Sequence, residues 1–483
     1  MPTQTNDAFF SQEISPKCLA PTKFTCYYGT FVHTPTLGKL EVFHNCAVGV
    51  DSEGTIQFIE DECDDPSEFT LQFTGSKSST EFEIVDISDS DRKFFFPGFI
   101  DTHIHAPQFP NNGIFGDSTL LEWLEIYTFP LESSFQSLRV AQEIYTKCIQ
   151  RTLSSGTTTA SYYATIHTNA SKLLADLALK MGQRALIGKV CMNQNSPDNY
   201  IETFEECKSS QMEVLKHLEN RDPKAEFVAP VLTPRFAGSC TDELLKWLGQ
   251  LRKSKDYHCQ THLDENHKEI EWITGLFPQY ENYTDIYKQT NLLGHKTTLA
   301  HCIHLLDEEK DMLVESGSGV SHCPTSNSSI TSGEARVRWL LDCGINVSLG
   351  TDCSGGFSPN ILHVAKHALL VSRHLVMKSK NDHEKLSTSD VLYLATMGGA
   401  NVLKMDSVGS FAVGKKFDSQ LIDMACKDSP IDNFEFQSPK WGELKREESL
   451  KKFHDLIDKW VFNGDDRNVS SVFVNGRCVS SRL

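Results

Sequence analysis

Long apolar runs are missing from this sequence. No stretch approaches the roughly 18 uninterrupted apolar residues of a membrane span, so none is expected. The opening residues, MPTQTNDAFFSQEISPK, lack the basic region and apolar core of a secretory signal. Positive charge is short: 46 lysines and arginines face 64 aspartates and glutamates, for a formal net charge of −18. Nucleic acid and anionic membranes repel such a chain, which leaves small neutral or cationic molecules, or another protein, as partners. CxxC pairs are absent too, although there are 15 cysteines. An odd, scattered set reads as reduced thiols and points to the cytoplasm. The last residues, Ser481-Arg482-Leu483, are similar to the peroxisomal S-K-L address, an alternative to a plain polar tail.

What is present is enough for a large core. A hydrophobic share of 39% over 483 residues fits one large domain and a smaller one. Residues 1–21 read as a polar arm. From Thr22 to about Asp91 short β-type runs alternate with turns, interrupted by a polar surface insertion at 61–80. From Phe94 onward eight apolar runs recur: FFFPGFIDTHIH, GTTTASYYA, ALIGKVCM, EFVAPVLT, YHCQTHL, TTLAHCI, GVSHCP and INVSLGTD. Helix-length amphipathic segments such as DELLKWLGQLRK and EARVRWLLDCG separate most of them, which predicts an α/β protein with a (β/α)₈ barrel. After a helical stretch, GSFAVGKKFDSQLIDM and SSVFVNGRCV return to β character, whereas 440–459 reads as a solvated amphipathic helix. Neither β segment can bury a core alone, so the two chain ends are expected to form one small β-sandwich beside the barrel. The expected division is 1–93 for the arm and part of the sandwich, 94–404 for the barrel, and 405–483 for the rest of the sandwich with its helical insertion.

Catalytic groups of such barrels sit at the C-terminal ends of the strands. The first run ends in His103-Ile104-His105, and side chains two apart on a strand share a face. An HxH pair alone also fits two surface histidines. The fifth run ends in His262 and the eighth in Asp352. Three imidazoles and one carboxylate at strand ends one, five and eight make an N/O site that suits zinc, with water or substrate completing the shell; the same donors also bind iron. Metal-bound water can have a pKa near ~7, yet expelling an amine also needs a proton carrier. Glu265, three residues past His262, fits that role; its other reading is an acid of the next helix's first turn, a role open to Asp264 as well. His301, at the end of the sixth run, could donate to the attacking oxygen or stabilise a tetrahedral intermediate. His304 reads as helix start or solvent contact. His322 and Cys323, which end the seventh run, read as strand-end packing or as lining the site.

Taken together, PGFIDTHIHAPQF, QTHLDENHKEI, TLAHCIHL, SHCPTSNSSI and SLGTDCSGG resemble the motif series of the amidohydrolase superfamily, and the two β segments resemble its flanking sandwich. The finer resemblance is to the guanine deaminases, carried by IDTHIHAPQ, IGKVCMN, TPRFA and QTHLDEN. It implies that His103, His105, His262 and Asp352 hold one zinc ion per subunit. It implies that Gln108 and Arg235 hydrogen-bond a purine and that Phe236 packs on its ring. Within the same site, His105, His262, Glu265 and Asp352 would also touch the substrate, and Glu265, Asp352 and His301 would do the chemistry. The reaction implied is guanine to xanthine and ammonia, in purine breakdown or salvage, by a homodimer. By themselves Arg235 and Phe236 read as a surface residue and as packing at the barrel mouth. One departure stands out: Asn193 ends IGKVCMN where family members often have Asp. The fourth run, EFVAPVLT, lacks the lysine that bridges two metals in binuclear amidohydrolases, which favours a single ion. Two rival readings are a related deaminase or chlorohydrolase acting on a pterin, triazine or adenosine-like ring, and a scaffold that kept the fold without catalysis.

Overall fold

The computed structural model describes residues 23–482, so the polar arm at 1–21 and the final Leu483 lie outside the described residues. The N-terminal segment supplies five strands to one sheet: β1 (Phe24–Thr36), β2 (Lys39–Val50), β3 (Ile56–Glu60), β4 (Phe82–Asp86) and β5 (Lys93–Pro97). The barrel follows with β6 (Phe99–His105), β7 (Thr157–Tyr163), β8 (Arg184–Gly188) and its short continuation β9 (Val190–Cys191), then β10 (Val228–Pro234) and β11 (His258–Leu263). It finishes with β12 (Thr297–His301), β13 (Gly319–His322) and β14 (Val347–Leu349). The chain then returns to the first sheet as β15 (Ser419–Asp423), β16 (Val469–Val474) and β17 (Arg477–Ser481).

Each of the eight apolar runs contains one barrel strand, and neighbours in sequence are parallel neighbours in space. β14 meets β6 through a short seam. Asp352 N–H donates to the His103 carbonyl at 2.8 Å and His105 N–H to the Cys353 carbonyl at 3.2 Å. Asp101 locks the same seam by accepting from the Thr351 hydroxyl at 2.6 Å and its N–H at 3.0 Å. Two metal-ligand candidates far apart in sequence are thereby held by one another's backbone.

The first apolar run divides at Gly98. Lys93–Pro97 pairs antiparallel with β15 in the other sheet, and Phe99 opens the barrel. A Cβ at Gly98 would lie 2.1 Å from the Thr158 hydroxyl, so the chain can cross between layers there only as glycine.

The chain ends share that outer sheet, in the order β17-β16-β15-β5-β1-β2-β3, with β4 beside β1. Tyr27 stacks on Phe417 at 4.1 Å and Phe31 on Phe95 at 4.8 Å, joining N- and C-terminal strands in one aromatic core. Arg184 at the start of β8 ties the layers together: its Nε and Nη2 reach Asp418 at 2.5 and 3.2 Å, and both side chains are buried.

Two segments differ from the sequence expectation. The helix read as solvated at 440–459 runs Arg446–Asn463, and Phe453, Leu456, Ile457, Trp460 and Val461 bury one face of it. Trp460 packs on Phe94, Phe96 and Phe99 under the barrel. The apolar residues keep i, i+3, i+4 spacing, but charge on the other face masks it. The polar insertion at 61–80 contains a helix, Pro66–Thr74. Asp65 caps its start, Gly75 at φ 65° ends it, and Phe69 and Phe73 seat it on Phe58. No helix of the described residues is long and apolar enough to cross a membrane.

Candidate active site

His103 and His105 leave β6 on one face, buried to 1% and 2% exposure. His262 joins from β11 and Asp352 from just past β14. His103 Nε2 lies 3.2 Å and His105 Nε2 3.5 Å from Asp352 Oδ1, and the Nε2 atoms of His105 and His262 are 3.2 Å apart. Donors at ~2.0–2.1 Å from a tetrahedral ion would stand about 3.3 Å from each other, so these spacings match such a cage. Further observations fit a metal. Nε2 of His103 is buried with no hydrogen-bond partner. His262 donates its Nδ1 proton to the Arg235 carbonyl at 2.5 Å, which leaves its Nε2 lone pair facing inward. Burial pushes all three imidazoles below their ordinary value, so they are neutral, as ligands must be. Burial works against an ionised Asp352, yet the surrounding imidazoles hold its carboxyl well below the usual range. Among the described residues this is the one set of three or more His, Cys, Asp or Glu side chains converging as for a metal.

Glu265 and His301 stand beside the cage. His301 Nε2 is 3.4 Å from Glu265 Oε2 and 3.8 Å from Asp352 Oδ2. Burial and the nearby Asp352 charge raise Glu265 well above an ordinary carboxyl, while Ser332 at 3.4 Å works the other way. A carboxyl raised in this way suits a proton carrier. His301 gives its Nδ1 proton to Asn327 Oδ1 at 2.8 Å, so the neutral ring accepts at Nε2 and donates there only as imidazolium. The chain turns sharply where these groups sit: Asp264, His301, Cys302 and Asp352 all have positive φ, between 45° and 73°.

The helix-start reading of Glu265 falls instead to its neighbours. Asn266 caps helix His267–Leu276, and Glu269 closes the capping box. Glu269 is itself buried, and that burial raises its carboxyl to about 7.

The cage opens into a cavity lined by His105, Gln108, Arg235, Phe236, His262, Glu265, Glu269 and Asp352 together with apolar side chains. Gln108 enters from the 3₁₀ turn Ala106–Asn111, while Arg235 and Phe236 follow directly on β10. The predicted site residues meet here; His103 and His301 do not line the cavity themselves but touch it through Asp352 and Glu265. His304 and His322 do not line it. His304 bonds the Ser332 carbonyl at 2.9 Å and packs on His267, and His322 is buried. Asn193 exchanges two hydrogen bonds with Thr241 at the next helix start, clear of the cavity.

Sequence reasoning missed several participants. Asn327 and Ser332 fix His301 and Glu265; Asn327 belongs to the motif SHCPTSNSSI, but nothing in its local spacing assigns it a role. Leu120, Leu121, Trp123 and Leu124 roof the cavity from short helical pieces between β6 and helix Leu138–Ser154. Glu132, from the same connection, is fully buried against Arg235. No local pattern marks these, because that connection has no repeating period.

The fold and these motifs match known proteins. Residues 94–479 match the model of the amidohydrolase family. The chain belongs to the amidohydrolase family. Among curated relatives of this amidohydrolase, the guanine deaminase of Dictyostelium discoideum is 42% identical, covering 93% of this chain and 97% of the relative. The Homo sapiens guanine deaminase is 40% identical, with 94% and 96% covered. Among solved structures, the guanine deaminase of C. acetobutylicum with guanine bound in its active site superposes with a TM-score of 0.82 at 29% identity, covering 95% of this chain and all of that one.

Proposed function

We propose that this amidohydrolase hydrolyses guanine to xanthine and ammonia with one zinc ion per chain. The observation that carries the reading is one cavity in which a metal cage and the buried carboxyl of Glu265 face Arg235, Gln108 and Phe236. The relatives named guanine deaminases support it. Guanine offers a carbonyl oxygen at C6, an acceptor for a guanidinium donor, and a flat face that packs on Phe236. A ring without that oxygen would leave the donor unpaired, which disfavours adenosine-like and triazine substrates.

His103, His105, His262 and Asp352 would hold the zinc ion, which would supply a Lewis acid able to make water nucleophilic near neutral pH. The protein's own groups move the protons. Arg235 and Gln108 orient the ring so that C2 faces Glu265. Ionised Asp352 and the Nε2 acceptor of His301 orient the attacking water through its O–H bonds. Glu265 gives its proton to N3 as the water oxygen bonds to C2, and the proton displaced from water restores the carboxyl. The remaining hydroxyl proton then passes to the exocyclic amine. The C2–N bond breaks with its electrons, ammonia leaves, and C2 becomes the second carbonyl of xanthine.

The direct test is ammonia release from guanine, adenine, cytosine, a pterin and a triazine by protein of measured metal content. Guanine should exceed the others by orders of magnitude; preference for another ring would replace this reading. The proposal extends to a cytoplasmic homodimer, as the resemblance implies, checked by sedimentation and by imaging a tagged chain. For the alternative peroxisomal address, Ser481 is the last residue of β17 and Arg482 bonds Ser470 and Asp466, so part of that tripeptide is engaged in the fold.

A further inference from the structure

Glu132 has no part in the chemistry above, yet it is the most heavily engaged carboxylate near the cavity. It lies in the short helix Phe129–Ser133 and is 0% exposed. Its Oε2 accepts from Arg235 Nη1 at 2.6 Å and from the Tyr200 hydroxyl at 2.6 Å. Its Oε1 accepts from Arg235 Nη2 at 3.1 Å and from Gln108 Nε2 at 2.8 Å. Four donors occupy the carboxylate, and three of them come from the two residues read as purine contacts.

Each bond restricts what those residues can offer a ligand. A guanidinium is planar, so a two-point contact with one carboxylate fixes the directions of its remaining N–H groups. Phe129, one turn before Glu132, lies under the same guanidinium, with Arg235 Cζ 5.3 Å from its ring centre. Gln108 gives Nε2 to Glu132 and takes the Ser354 N–H on Oε1 at 3.2 Å, so its amide cannot flip. The Arg235–Glu132 pair also carries no net charge. A lone buried guanidinium would favour an anion, whereas the neutral pair offers aimed donors to an uncharged ring.

We propose that Glu132 is a positioning residue that sets substrate specificity, locking Arg235 and Gln108 into a donor array that selects a neutral 2-aminopurine ring bearing a 6-carbonyl over the same ring without it. The inference rests on the guanine-deaminase reading.

The experiment compares kcat/KM for guanine and for 2-aminopurine, which keeps the reacting amine but lacks the carbonyl. In Glu132→Gln one carboxylate oxygen becomes an NH₂ that must face donors at either position, and the wall gains a positive charge. Guanine kcat/KM should fall on the order of 100-fold while 2-aminopurine changes less than about threefold, so that the ratio collapses. Metal content and thermal midpoint are measured on the same samples. A parallel loss on both substrates, or an unchanged ratio, overturns the inference, because a merely structural role lowers both together. Glu132→Asp keeps the charge but withdraws the carboxylate by one methylene. It should fold and lower the ratio less, and in case Glu132→Gln does not fold, a wild-type ratio in Glu132→Asp overturns the inference. Failure of the unaltered protein to release ammonia from guanine would instead defeat the deaminase reading.

Discussion

Replacing Glu265 by Gln removes the exchangeable proton while keeping the size of the side chain. General acid–base catalysis is typically worth 10²–10⁴-fold, or about 3–5.5 kcal/mol of barrier. The surroundings place this case near the upper end, because the neighbouring groups are engaged elsewhere. Glu269, the next buried acid, has Oε1 bonded to the Tyr283 hydroxyl at 3.0 Å and Oε2 to the N–H groups of Glu265 and Asn266 at 3.1 and 3.3 Å. His301 has committed its Nδ1 proton to Asn327. A loss of about 10⁴ in kcat is therefore expected, with metal still bound at one ion per chain, since Glu265 is not part of the cage. The assay is xanthine formation followed by absorbance on protein of measured metal content, across a pH range spanning weakly acidic to weakly alkaline. The sign of the pH effect follows from the raised carboxyl of Glu265. The wild-type rate should fall as pH climbs through that raised value and the proton is lost, and the variant's residual rate should lack this limb. A loss below about tenfold with full metal, or an unchanged alkaline limb, would refute the assignment.

Other expectations can be checked with similar means. Chelation should abolish turnover and one equivalent of zinc should restore it. Because the three imidazoles are held below 6.5, metal should stay bound as pH falls past the ordinary imidazole range, as monitored by dialysis and metal analysis. Arg184→Met leaves the buried Asp418 charge without its partner and should cost about 3–5 kcal/mol in urea unfolding; a change under about 1 kcal/mol would mean that this pair does not hold the layers together. Glu269 titrates near 7 in the fold against 4.5 in the unfolded chain, so its stabilising effect is complete below 4.5 and is lost as pH rises to about 7. Glu269→Gln should consequently gain about 2–3 kcal/mol relative to wild type between about pH 5 and pH 8, and urea midpoints that keep a constant separation across that range would contradict the assignment.

Much of the barrel is legible in the sequence because its strands are buried on both faces. Each appears as a continuous apolar run, and the polar residue ending each run marks the catalytic end of the barrel. HxH spacing alone puts His103 and His105 on one face, since strand side chains alternate strictly. The division at Gly98 is less legible, because two strands from different sheets abut there with no polar residue between them. Helix Arg446–Asn463 shows the opposite difficulty: its apolar stripe is present but outnumbered by charge.

The candidate ligands and Glu265 are thus marked by their places at strand ends in the sequence, whereas the closed barrel brings them together. Gln108, Arg235 and Phe236 can be named from family resemblance, but what orients them cannot. Glu132 lies 24 residues from Gln108 and 103 from Arg235, in a connection without periodicity, and only the folding of that connection across the barrel mouth brings the carboxylate to the guanidinium. Asn327 reaches His301 in the same way from the short helix Pro324–Ser329 that follows β13. Local spacing selects which side chains share a face; the protonation and direction of those side chains depend on burial and on partners that the closed barrel supplies.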